Sequence, residues 1–351
     1  MTLELRPDFD VVAGTWDRFW KQRGIERPML MCRVPRGEPQ VHPPGGDLLA
    51  GDIDTCIDDR LRWLRSFDWM GDAIPACMPQ LGPDHFAALL GAHLRVNPDS
   101  RATVWTEPCI ANWEDCDIRV QWEGHWWQRT VELIGRFRER CNGICLVSPP
   151  NLQGGLDCLA ALRGVEPLAL DLVLAPEQVA KAVTAINRCF AEVKQRLAEL
   201  CDVPVHGSVN RHVFYHRGQV GIPQCDYSCL IGREMFNEFA LPAIRFEAAS
   251  FDESEYHLDG PNAIRHLESI ASVPEISVIQ WQPGFKDMHR DWSDLYRQID
   301  RLHKGAYLFT GPELLRKQRR ENANRMLCCE LLTRNRREAE SVLAEFGIDI
   351  R

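Results

Sequence analysis

The side chains best suited to chemistry sit together in Ser254-Glu255-Tyr256-His257-Leu258-Asp259-Gly260-Pro261. In an extended strand successive residues alternate faces, so Glu255, His257 and Asp259 point one way and Tyr256 and Leu258 the other. Gly260-Pro261 ends the strand directly afterwards. An acid, an imidazole and a second acid on one face suit two kinds of chemistry. In the first, His257 and Asp259, with Glu255 deeper, ligate a Zn²⁺ that acts as a Lewis acid. In the second, which needs no metal, His257 moves a proton with Asp259 or Asp226 and Asp72 stabilises a developing cation. Arg33 and Arg36 would then hold carboxylates of the substrate. The competing reading is a capped turn around a hydrogen-bonded histidine.

Other candidates fall where strands end. Asp226 and Tyr227 close the stretch Gly221–Ser228, and Asp72 lies in Gly71–Pro79. Gln280 and Trp281 finish a strand that Gln282-Pro283-Gly284 terminates, and Arg33 lies in the first apolar run. Asn151 opens a polar loop after Gly143–Pro150, and His206 lies in the ambiguous segment 203–210. Arg33, Asn151, His206, Tyr227, Gln280 and Trp281 are read as substrate-binding residues.

These residues need elements to position them. Short apolar strands recur at 29–34, 71–79, 143–150, 221–228, 254–259, 276–281, 306–311 and 325–331, with helical patterns between them. That alternation predicts an α/β protein with an all-parallel sheet. Eight such units over 351 residues favour a closed (β/α)₈ TIM barrel, with chemistry at the carboxyl ends of its strands. No Gly-x-Gly-x-x-Gly follows a strand and no Gly-Lys-Ser/Thr loop is present, which weighs against nucleotide binding. No linker composition divides the chain, so residues 1–351 are read as one domain. Residues 101–127 hold five of the eleven tryptophans and interleave acids. They are read as an excursion over the top of the fold, packed on the body or offering an aromatic wall to a flat or cationic ligand.

The totals narrow the function classes. A net charge of −9 argues against a nucleic-acid partner and an anionic membrane surface. No apolar run approaches the roughly 20 residues that span a bilayer, and the start lacks a signal-peptide core. A cytoplasmic, soluble protein is expected. The fourteen cysteines are dispersed without a Cys-x-x-Cys pair, although Cys141 and Cys145 lie four apart. They read as small buried apolar residues in a reducing compartment. A homodimer is the default expectation for a soluble enzyme.

The chain resembles the uroporphyrinogen decarboxylase superfamily, which unites porphyrinogen decarboxylases with zinc-dependent methyltransferases that serve corrinoid proteins. Three stretches carry the resemblance: Gln224-Cys225-Asp226-Tyr227-Ser228 with Glu234–Pro242, Tyr256-His257-Leu258-Asp259-Gly260, and Arg27-Pro28-Met29-Leu30-Met31. It implies the barrel fold. Asp259 stands where the methyltransferases carry a zinc-ligating cysteine, and Asp72 falls near the decarboxylases' essential aspartate. The reading that follows is a metal-assisted methyltransferase using a small-molecule substrate and a corrinoid supplied by a partner protein. A metal-free carboxy-lyase and a non-catalytic binding barrel are the alternatives.

Overall fold

A computed structural model of the chain describes residues 1–37, 42–43, 47–97, 100–322 and 326–349. Eight strands follow the expected spacing: β1 (Met29–Pro35), β2 (Ala76–Cys77), β3 (Leu146–Val147), β4 (Val220–Gly221), β5 (Glu253–Asp259), β6 (Ile276–Gln282), β7 (Gly305–Thr310) and β8 (Leu327–Leu331). Helices separate them, including Ile53–Arg65, His125–Cys141, Pro176–Leu200, Leu241–Ala249, Ser293–Arg301 and Pro312–Glu321. Arg336–Glu345 closes the helical set.

Strands β4, β5, β6, β7, β8 and β1 pair in that spatial order, all parallel. The segment Phe67–Gly71 adds to the free edge of β1 and runs antiparallel, completing a curled seven-stranded sheet. It corrects the expectation of an all-parallel sheet. A turn at Gly71, whose φ of +62° a side chain resists and where a Cβ would sit 2.2 Å from the Leu30 carbonyl oxygen, separates this segment from β2. Six of the seven β6 residues are buried, as fits a parallel strand covered on both faces.

Strands β2 and β3 form a separate parallel pair. Main-chain and side-chain bonds fasten this pair to the large sheet. On one flank the Asp72 N–H donates to Leu30 O (2.7 Å), and the Leu30 N–H donates to the Asp72 carboxylate (2.8 Å). On the other flank an antiparallel hairpin, Ser208–Val209 with Tyr215–His216, lies between β3 and β4. There Val209 N–H donates to Ser148 Oγ (2.8 Å) and Val220 N–H donates to Ser208 Oγ (3.2 Å). The arrangement is compatible with a TIM-like barrel without one continuous backbone ladder among the described residues.

The amphipathic helix Phe9–Lys21 packs Trp16, Phe19 and Trp20 inward. Trp16 Nε1 donates to Asp72 O (2.9 Å) and Trp20 Nε1 to Tyr215 O (2.8 Å), so the helix seats against the start of β2 and the hairpin. The tryptophan-rich stretch lies along the helices outside the sheet. Cys109 and Ile110 N–H both donate to Leu162 O, and Arg163 stacks over Trp113 at 5.3 Å. Among the described residues, no helix is long and apolar enough to cross a membrane.

Candidate active site

Strand β5 divides its side chains as the alternation requires. Tyr256 and Leu258 are fully buried in the outer core. Glu255, His257 and Asp259 face the concave side of the sheet, with Glu255 deepest and 0% exposed. The two others sit nearer the carboxyl end, where Asp226 arrives from the turn after β4. One ligand atom from each of Asp226, His257 and Asp259 lies within 4.8 Å of the others. Glu255 is not part of that group. Its Oε1 accepts from Asn210 Nδ2 (2.7 Å) and His212 Nδ1 (3.0 Å).

His257 is prepared as a neutral ligand. Its Nδ1 bonds Gln280 Oε1, and Gln280 Nε2 donates to Trp281 O (3.0 Å), which fixes the amide's orientation. With Nδ1 carrying the proton, the Nε2 lone pair is available to a metal or an acid. Burial, Arg211 and His212 push its pKa down to about 3, while the Gln280 bond opposes them. Asp226 is displaced the other way, up to about 7, by desolvation and the neighbouring charges of Asp157 and Asp259, with Arg211 pulling back. Asp259 is also raised, chiefly by burial. Two carboxylates confined together resist losing both protons, and a cation between them relieves the repulsion.

The hairpin tip supplies the residues that single-strand reasoning missed. Asn210 Oδ1 accepts from His212 N (3.0 Å) and Phe214 N (3.1 Å), folding the tip tightly. Val213 is held at φ +60°, which is costly for a β-branched residue. That turn directs Arg211 and His212 toward the site. Arg211 Nη2 donates to Gln224 Oε1 (2.8 Å). The His212 ring stacks on Tyr307 at 5.6 Å and lies 5.4 Å from the His257 ring. Tyr307 OH donates to Glu330 Oε2 (2.9 Å), and Glu330 Oε1 is paired with Arg33.

A cavity of about 700 Å³ opens beside this network. Arg33, Arg60 and Arg211 line it with Trp63, Trp69 and Asn210. Arg60 is 7% exposed, and its Nη1 has no hydrogen-bond partner among the described residues. Arg211 links the two regions, since it lines the cavity and acts on the charges of Asp226 and Asp259. The tryptophans that wall the cavity are Trp63 and Trp69, not those of 101–127.

No protein-family model matches this chain, and no curated protein does. Among solved structures the chain is similar to a methyltransferase from Methanosarcina mazei. The TM-score is 0.62 at 10% sequence identity, and the match covers 95% of this chain and 97% of that one. At that identity the likeness shows a shared fold.

The remaining sequence candidates go elsewhere. Asp72 is 2% exposed, and Arg27 grips both its oxygens at 2.7 and 2.8 Å. It lies beside the start of β1, away from the carboxyl ends. Tyr227 is buried, its OH donating to Val165 O (3.0 Å), and Trp281 packs edge-on against Trp292. Asn151 is tied to Gln80 through its backbone, with its Nδ2 unpartnered among the described residues. His206 ends the short helix Val203–His206, and its carbonyl accepts from Tyr215 OH (3.1 Å).

Proposed function

We propose that the chain is an enzyme that moves a methyl group between a small substrate and a corrinoid carried by a partner protein, with zinc held by Asp226, His257 and Asp259. The sheet and the β2–β3 pair then act as one closed (β/α)₈ barrel. The observation that carries the reading is the convergence of one neutral imidazole, with a free Nε2, and two carboxylates within 4.8 Å. One nitrogen and two oxygen donors suit a borderline divalent ion that keeps an open position. The metal, when bound, supplies Lewis acidity toward the heteroatom that carries or accepts the methyl group.

The chain's own residues do the rest. Gln280 holds the His257 ring, and Arg211 offsets part of the negative charge of the two aspartates. The cavity takes the substrate body between Trp63 and Trp69 and directs an anionic group toward Arg60 and Arg211. The corrinoid partner has a surface to meet. Leu230, Phe285, Met288, Phe309 and Leu332 are all exposed, and all follow or end strands β4, β6, β7 and β8 on the carboxyl side.

Elemental analysis of chelator-free, untagged protein tests the reading. The expected result is zinc that persists in the wild type, with one equivalent lost in His257→Ala at unchanged fold. The same metal content in both proteins would sink it. Asp226 favours a second reading. Its carboxyl, pushed up to about 7 chiefly by desolvation, suits general acid–base work without a metal, as in decarboxylation of a carboxylated substrate.

A further inference from the structure

A second cluster lies where β2, β3 and the helix His125–Cys141 meet, and Cys77 also lines the cavity beside Arg60. Cys77 finishes β2, Cys141 is the last residue of the helix His125–Cys141, and Cys145 directly precedes β3. All three are buried, at 4%, 0% and 5% exposure. Cys77 Sγ lies 3.8 Å from Cys141 Sγ and 3.9 Å from Cys145 Sγ. All three sulfurs are within 4.8 Å of one another. Among the described residues no other group of three cysteines converges in this way.

Those distances have a specific meaning. A zinc–sulfur bond of about 2.3 Å in a tetrahedron sets the sulfur–sulfur edge at about 3.8 Å. The sulfurs are far beyond the roughly 2.05 Å of a disulfide. The backbone is also shaped to bring them together. Ile144 N–H and Cys145 N–H both return to Cys141 O (2.9 and 3.3 Å), closing a tight turn through Gly143 at φ +71°. This turn folds Cys145 back toward Cys141 from the end of its helix.

The surroundings suit a thiolate-rich site. Arg140 and Arg65 act electrostatically on Cys141, and Arg60 acts on Cys77. Three thiolates around one divalent cation leave one negative charge, which these guanidinium groups offset. Cys141 and Cys145 also line a cavity of about 490 Å³ with His206 on its wall. A fourth position can therefore be filled by water from that side.

We propose that Cys77, Cys141 and Cys145 bind one zinc ion as a tris-thiolate site, distinct from the Asp226–His257–Asp259 group. The ion cross-links β2, the end of the helix His125–Cys141 and the start of β3. Strands β2 and β3 pair with each other in a sheet of their own.

Cobalt substitution in the reduced His257→Ala protein tests the proposal independently of the other site. The expected result is one equivalent of Co²⁺ with thiolate-to-metal charge-transfer absorption and intense tetrahedral d–d bands. Cys145→Ser should lose the charge-transfer intensity by about one third or release the ion. Because a core serine can itself disturb folding, thiol alkylation of the wild type gives a second readout. Cys77, Cys141 and Cys145 should react only after a strong chelator is added. Folded His257→Ala that takes up no cobalt, or takes it up without a thiolate band, would overturn the proposal. So would a disulfide within the trio in freshly isolated, metal-free protein.

Discussion

Replacing Asp72 separates a structural role from a catalytic one. Its carboxylate receives two Arg27 N–H groups at 2.7 and 2.8 Å and the Leu30 N–H at 2.8 Å, and its side chain is 3% exposed. Removing one partner of a buried pair costs about 3–5 kcal/mol. Arg27 is 21% exposed and can recover some hydration, which places its share near the low end. A buried Leu30 N–H without an acceptor adds about 1–3 kcal/mol. Asp72→Ala should therefore lose about 4–6 kcal/mol of stability. Asp72→Asn keeps an acceptor for Leu30 but weakens the charge-assisted fork, so it should lose about 2–3 kcal/mol. Urea unfolding with an unchanged m-value reads both losses. Metal loading by Asp226, His257 and Asp259 should be unaffected in folded Asp72→Asn. A stable Asp72→Asn protein that loses all turnover would refute this reasoning and restore Asp72 to the chemistry.

Three further outcomes follow from the site. Asp226, held at about 7 in the metal-free fold against an ordinary 3.8, keeps a proton that the unfolded chain releases. Its contribution therefore favours the fold at low pH and is lost as pH climbs from about 3.8 toward about 7; carboxyl NMR should find this titration, and Asp259→Asn should move it down. Glu255→Gln keeps an oxygen for Asn210 and His212 but removes the charge that strengthens both bonds and places a buried amide N–H where Oε2 has no partner among the described residues, so urea unfolding should show a loss of about 1–3 kcal/mol. Arg60→Met removes a buried cation with an unpartnered nitrogen, so the ligand-free protein should melt no lower than wild type, whereas protection by a bound carboxylate should disappear.

Much of the scaffold was legible because apolar runs between Gly and Pro have few other uses. The shared face of His257 and Asp259 followed from a period of two, and Asp226 from its place at a strand end. Glu255 shares that face but lies deeper, where Asn210 and His212 claim it, a contact between elements that no local pattern carries. The Asp72–Arg27 pair was hidden for the same reason, because the two residues lie 45 apart. Arg211 and His212 sit in a turn that Asn210 closes and that the buried neighbour Phe214 anchors, neither of which a local pattern shows. Arg60 left a trace. It falls on the same helical stripe as Cys56, Ile57, Leu61 and Leu64, where a charge is out of place unless something is meant to meet it. Glu330, a lone acid in Leu327-Cys328-Cys329-Glu330-Leu331, carried a similar signal.

The hairpin between β3 and β4 has a mechanical consequence. It meets β3 and β4 through the hydroxyls of Ser148 and Ser208, bonds that contribute only about 1 kcal/mol each, while Trp20, Gln224 and Glu255 hold its return strand and tip. Its tip also holds Val213 in a conformation that stores about 1–3 kcal/mol. Releasing the tip would return that stored energy but break its bonds to Gln224 and Glu255. The same loop carries Asn210, Arg211 and His212. Each opening would withdraw a guanidinium from the aspartates and uncover Glu255 in one movement, tying access to the interior to the charge balance within it.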